Sequence, residues 1–124
     1  MQIEIITLNG ITTAHVTADE RVIIDAQTAL DLMMTVKYET GTENIAISKN
    51  LIVDDFFILS SGLAGEILQK FINYGFRIAI YGDFSKFTSK PLKDFMYESN
   101  NGRDIFFTDS LEKATEKLTN AKKH

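Results

Sequence analysis

The pattern of hydrophobic and polar positions opens with two strand-like segments, residues 3–8 and 11–16. Asn9-Gly10 lies between them, and this dipeptide is a strong signal for a two-residue hairpin turn. The pattern therefore predicts that the chain begins with an antiparallel β-hairpin.

Apolar residues at helical spacing then predict two helices in the middle of the chain. Asp25 is placed to cap the first helix and Gly41 to end it. The apolar stripe of this helix is Ala29, Met33 and Val36, and the stripe of the second helix is Leu63, Ile67, Phe71 and Tyr74. Further apolar residues widen the second stripe, which indicates a helix that lies against a sheet.

Two more helices are predicted in the last third of the chain. Pro91 suits the first turn of one of them, which residues 100–102 end. Asp109 and Glu112 have the spacing of a capping box for the final helix, whose apolar side is Leu111, Ala114 and Leu118.

Three strand-like runs alternate with these helices, at residues 44–47, 76–81 and 104–108, while residues 49–59 are irregular. The mostly apolar run 76–81 is typical of an interior parallel strand. The order β-β-α-β-α-β-α-β-α predicts an α/β fold with a mixed sheet, an N-terminal hairpin and a parallel part formed by the last three strands.

Composition and length indicate one globular domain spanning residues 1–124. The chain is 44% hydrophobic and 24% charged, with one proline and seven glycines. No boundary, repeat or low-complexity stretch divides it, and we expect a disordered tail at about residues 120–124.

Charge and the absence of cysteine narrow the function classes. A net charge of −4 argues against nucleic acid as a partner, because nonspecific affinity for phosphates comes from concentrated lysine and arginine. The amino terminus does not have the pattern of a signal peptide, and no apolar run is long enough to span a bilayer. We therefore expect a cytoplasmic protein without a membrane partner.

The strongest candidate site is the turn Ser60-Ser61-Gly62, which precedes the second predicted helix. A helix amino terminus has free amide groups and a partial positive charge that can stabilise an anion, such as the phosphate of a phosphoserine. The alternative is that Ser60 or Ser61 only caps the helix.

A second candidate site is the loop after the central strand, which could contact a protein or a small ligand. Its candidate residues are Asp83, Phe84, Ser85, Phe87, Thr88, Ser89 and Lys90. Phe84 and Phe87 draw attention because apolar side chains in a loop can mark a protein contact. The loop does not have the sequence of a phosphate-binding P-loop, and a solvated connection is the alternative.

Catalytic constellations are sparse. His15 and His124 are the two histidines of the sequence, so no serine-histidine-aspartate set or histidine metal cluster is predicted. An acid-base site of Asp83 with Ser60 or Glu66 is a minor alternative that requires the fold to bring them together. We expect no cofactor and no metal, and the enzyme class is the less favoured interpretation.

The segment Leu59-Ser60-Ser61-Gly62-Leu63, following a hairpin and an earlier βα step, resembles the STAS domains of bacterial anti-sigma factor antagonists. Those proteins change partners on serine phosphorylation. The resemblance implies that Ser60 matches the phosphorylated serine and that the partner is a regulator or a kinase. Leu59 departs from the pattern, since those antagonists usually carry aspartate there.

A longer resemblance covers roughly residues 20–120 and is to the bacterial domain-of-unknown-function family numbered 4180. It is carried by residues 62–71 (GLAGEILQKF), 82–85 (GDFS) and 97–100 (YESN). This family supplies no activity, so the resemblance adds to the fold and not to the mechanism.

Together these patterns favour a STAS-like protein-interaction and regulatory module, with phosphorylation as its candidate control. The alternative is a small-molecule sensor or small enzyme with a pocket at the carboxyl ends of the parallel strands. A third interpretation is a homodimer that buries Phe84 and Phe87.

Overall fold

A computed structural model describes residues 1–121 of the chain. Of the tail predicted at residues 120–124, positions 120 and 121 belong to the last helix, and positions 122–124 lie outside the described residues.

The order of strands and helices is the one that the sequence predicts. The elements are β1 (Gln2–Leu8), β2 (Ile11–Thr17), α1 (Ala26–Thr40), β3 (Asn44–Ser48), α2 (Leu63–Asn73), β4 (Arg77–Tyr81), α3 (Lys90–Asn100), β5 (Ile105–Thr108) and α4 (Leu111–Ala121). The irregular segment between β3 and α2 forms three short 3₁₀ turns, Lys49–Leu51, Asp54–Phe57 and Leu59–Ser61.

The five strands form one mixed sheet in the order β1-β2-β3-β4-β5. β1 and β2 are antiparallel, as the hairpin signal predicts, and Asn9 and Gly10 both have positive φ, 54° and 78°. β2 to β5 are parallel, so the parallel part has four strands, one more than predicted. The additional parallel pair follows from α1, which crosses over between β2 and β3.

Helices cover the two faces of the sheet unequally. α1, α2 and α3 contribute to one large core with Ile45, Ile47 and Ile80 of the sheet. The opposite face packs Ala46 and Ala79 against α4. Successive right-handed crossovers place the first three helices on the same side, whereas α4 follows the last strand and folds back over the free face.

Helix caps confirm most of the local predictions. Asp25 caps α1 through a capping box with Thr28, and Gly41 ends this helix in the left-handed conformation at φ 78°. The capping box predicted from Asp109 and Glu112 for α4 is wrong. Ser110 caps this helix, because its Oγ accepts a hydrogen bond from the Lys113 amide at 3.2 Å.

Candidate functional site

In the turn Ser60-Ser61-Gly62, which the sequence predicts as an anion site, the two serines have different environments. Ser61 Oγ donates to the Asp55 carbonyl at 2.8 Å and accepts from the Leu63 amide at 3.2 Å. Ser60 is exposed, and Gly62 is the helix-capping residue of α2 at φ 78°. Ser61 therefore has the structural role given as the alternative, at the start of the helix, whereas Ser60 is exposed to solvent.

The beginning of the 83–90 loop is held by a short polar turn. The Ser85 amide donates to Asp83 Oδ1 at 2.9 Å. Hydrogen bonds from Ser85 lower the pKa of Asp83, and the charges of Lys49 and Lys86 lower it further. Asp83 is thus an ionised turn-forming residue, which does not suit it to the role of a general base.

The end of this loop starts α3, and two of its predicted site residues have structural partners there. Ser89 Oγ accepts from the Leu92 amide at 3.4 Å and caps the helix. Lys90 Nζ forms an ion pair with Asp94 at 2.7 Å, a bond that raises the pKa of the lysine. Thr88 is exposed.

The two loop phenylalanines pack inward on an aromatic cluster. The rings of Phe57 and Phe87 are stacked with centroids 4.9 Å apart. Phe84 lies 6.1 Å from Phe57 and 5.9 Å from Phe107. Phe84 and Phe87 are half-buried, so much of their apolar surface attaches the loop to the core.

This cluster brings the two predicted sites together. Phe57 lies three residues before Ser60, so its contacts with Phe84 and Phe87 place the 83–90 loop beside the serine turn. Ile58, which lies between Phe57 and Ser60 in the sequence, is 54% exposed. We call residues 58, 60, 61 and 83–90 the carboxyl-edge surface, because they follow the carboxyl ends of β3 and β4.

Lys49 and Gly82 form a close contact beside the carboxyl-edge surface, and the sequence pattern does not signal this contact. Gly82 has φ 154°, and a Cβ atom there would lie 2.7 Å from Lys49 Cγ. Lys49 Nζ lies 5.6 Å from the centroid of the Phe87 ring. The glycine thus allows the lysine stem to cross the backbone and reach the aromatic cluster.

Replacing Gly82 by alanine is expected to destabilise the domain by about 1–3 kcal/mol, because it adds backbone strain and displaces Lys49. Gly65→Ala is the matched control. Gly65 is helical with open space around its Cβ position, and we expect alanine there to stabilise by about 0.5–1 kcal/mol. Urea unfolding measures both, and equal effects would show that the Gly82 contact is unimportant.

His15 lies on the opposite face of the sheet from the aromatic cluster that contains Phe57, Phe84 and Phe87. It is 8% exposed and pairs in register with Ala46, which packs under α4. Its Nε2 lies 2.6 Å from the Tyr81 hydroxyl and its Nδ1 lies 3.5 Å from Glu4 Oε1. Both ring nitrogens are engaged, and burial raises the pKa of Tyr81.

This histidine is therefore not placed to activate Ser60 as a nucleophile. The hairpin signal could have revealed one of the two contacts of His15, since a turn at residues 9 and 10 puts Glu4 opposite His15. Tyr81 comes from two strands away, and no local pattern indicates that contact.

The other ionisable residues that the structure describes form no metal site. Within residues 1–121, no group of three or more His, Asp or Glu side chains could hold a metal ion. Asp54, of the exposed pair Asp54-Asp55, binds the Arg21 guanidinium at 2.9 Å. None of the helices in this part of the chain has the length and apolar character needed to cross a membrane.

A groove of about 840 Å³ runs along the free edge of β5. Its lining includes Phe84, Asn100, Arg103, Phe107, Lys113 and Lys117. The groove extends from the start of β5 to its end, so its axis follows the strand and only one end reaches the carboxyl ends of the sheet. The alternative interpretation from sequence predicts a ligand pocket at the carboxyl ends of the parallel strands, and this groove lies mainly along the edge of the sheet.

Comparisons with known proteins give a family and one solved structure with limited similarity. No curated protein matches the chain significantly. A solved structure from Thermotoga maritima, described as a "putative anti-sigma factor antagonist", is similar over 94% of both chains, with 14% sequence identity and a TM-score of 0.46. The family Domain of unknown function (DUF4180) matches residues 8–118. Because this match covers most of the sequence, the chain belongs to the DUF4180 family.

Proposed function

We propose that this domain is a regulatory protein-interaction module that docks a protein partner on the carboxyl-edge surface. The observation that supports the proposal is the stacking of Phe57 on Phe87, which links the 83–90 loop to the segment that leads into the Ser60 turn. A docking role needs such a continuous surface, whereas it needs no catalytic group.

The order of this surface supports docking. Ser85 and Asp83 hold the start of the loop, and Ser89 anchors its end to α3. A surface that is ordered before binding loses less conformational entropy when a partner docks. The exposed side chain of Ile58 adds an apolar contact to this surface, which suits a protein interface.

Phosphorylation of Ser60 is the control that we propose for docking. Ser60 is exposed, and it resembles the serine on which anti-sigma factor antagonists are phosphorylated. A phosphate would add about 1.5–2 negative charges. Asp54 and Asp55 are exposed in the preceding turn, so a phosphate on Ser60 would concentrate negative charge there and would be costly to bury under a docked partner.

The test is affinity capture of the tagged full chain from its native cells, with mass spectrometry to identify partners and phosphorylated serines. We expect one stoichiometric partner, and we expect Ser60→Asp and Ser60→Arg each to weaken its binding by about tenfold or more, equivalent to about 1.4 kcal/mol. Ser61 should be unmodified, because its hydroxyl is bonded to the Asp55 carbonyl.

Asn9→Asp is the matched control, since it adds one negative charge at the exposed turn before β2, at the opposite end of the parallel strands, and Asp-Gly suits the same hairpin turn. It should leave binding unchanged. Absence of a stoichiometric partner would contradict docking. A partner that binds both Ser60 variants as tightly as the natural chain would contradict only the control by phosphorylation.

A further inference from the structure

β5 is an edge strand whose outer side has the geometry to pair with another strand. On its inner side, amide groups at β4 donate to the carbonyls of Asp104 at 2.9 Å and Thr108 at 3.0 Å. Backbone groups of alternate residues point to opposite sides of a strand. The amide and carbonyl groups of Ile105 and Phe107 therefore point outward from the edge of the sheet.

Asn100 already occupies part of this outer side. Its Oδ1 accepts from the Phe107 amide at 2.7 Å, and its Nδ2 donates to the Phe107 carbonyl at 3.1 Å. A residue of a neighbouring antiparallel strand would make the same two hydrogen bonds. The Asn100 carboxamide thus takes the place of a peptide group from an additional strand.

We propose that a second copy of this chain docks on the β5 edge, so that the two β5 strands pair antiparallel about a two-fold axis. The axis passes beside Phe106, which places Ile105 of each copy opposite Phe107 of the other. In this register the Ile105 backbone replaces the Asn100 side chain as the partner of Phe107, so no hydrogen bond of Phe107 is lost.

The charges at the two ends of β5 select this register. Arg103 precedes the strand and Asp109 follows it, both are exposed, and Asp109 also pairs with Lys113 of α4 at 3.2 Å. The axis at Phe106 sets Arg103 of each copy opposite Asp109 of the other, which forms two ion pairs. A shift of the register by two residues would set Arg103 opposite Phe107 or Leu111 and Asp109 opposite Asn101 or Ile105, and none of these carries the opposite charge.

The groove beside β5 is also lined by Glu116 and Lys117 of α4, one residue of each charge. A self-complementary surface of this kind suits a second copy of the chain, because a two-fold interface uses the same patch twice.

The experiment is sedimentation velocity of the full chain from low micromolar to near-millimolar concentration. We expect a monomer–dimer equilibrium, because only four backbone hydrogen bonds join the two β5 strands, two at each pair of Ile105 with Phe107. Arg103→Asp and Asp109→Arg each create two like-charged contacts and should weaken dimerisation by about tenfold. The double variant, with both charges exchanged, should restore the affinity of the natural chain to within about threefold.

The control is the double variant Lys90→Asp with Asp94→Lys, which exchanges the charges of an exposed ion pair outside the β5 edge. It should not change dimerisation. Asn100→Ala should strengthen dimerisation, because it frees the outer side of Phe107. A natural chain that stays monomeric throughout, or a double variant that dimerises no better than the single variants, would overturn the proposal. Neither outcome bears on docking at the carboxyl-edge surface.

Discussion

Replacing Phe57 by alanine is expected to lower the free energy of unfolding by about 3–5 kcal/mol. The side chain is 6% exposed and its ring contacts Phe56, Phe84 and Phe87, with the Phe56 centroid 4.9 Å away. Alanine would leave a cavity and remove the aromatic contacts that hold the 83–90 loop. Chemical denaturation measures the loss of stability, and amide hydrogen exchange of the loop measures its release.

Phe87→Ala is the control for this prediction. Phe87 is half-buried, so its removal deletes the stacked partner of Phe57 and creates a smaller cavity. We expect it to cost less stability than Phe57→Ala while still raising hydrogen exchange in the loop. If Phe57→Ala leaves the exchange of residues 83–90 unchanged, the cluster does not order the carboxyl-edge surface.

The second large effect is expected at Arg77, whose replacement by alanine should destabilise the domain by about 3 kcal/mol. Arg77 Nε donates to the Arg103 carbonyl and Nη1 to the Leu118 carbonyl, both at 2.7 Å. Its guanidinium carbon lies 5.8 Å from the centroid of the Phe106 ring. Burial lowers the pKa of Arg77, and the charge of Asp104 partly opposes this effect.

Two further variants separate geometry from charge at this site. Arg77→Lys keeps the charge but does not have the forked guanidinium, so it should recover only part of the stability. Arg21→Ala removes an exposed arginine paired with Asp54 and should cost about 1 kcal/mol or less. Equal losses for Arg77→Ala and Arg21→Ala in urea unfolding would show that the buried network does not stabilise the fold.

The candidate site was predictable from sequence only in part. Pro91 indicated the first turn of α3 correctly, and the structure adds Ser89 as its cap. The inward packing of Phe84 and Phe87 was not predictable, because their partner Phe57 lies in a segment without periodicity. The sequence patterns likewise showed no difference between Ser60 and Ser61, since the Asp55 carbonyl that binds Ser61 is brought near by a 3₁₀ turn.

The amino-acid sequence by itself determined the hairpin, the alternation of strands and helices, and the start and end of α1 at Asp25 and Gly41. These features depend on contacts between residues a few positions apart, so local chemistry decides them. Only the tertiary structure decided that β5 is an edge strand and that His15 contacts Tyr81. Such contacts join distant residues, and the packing of all helices and strands together selects them.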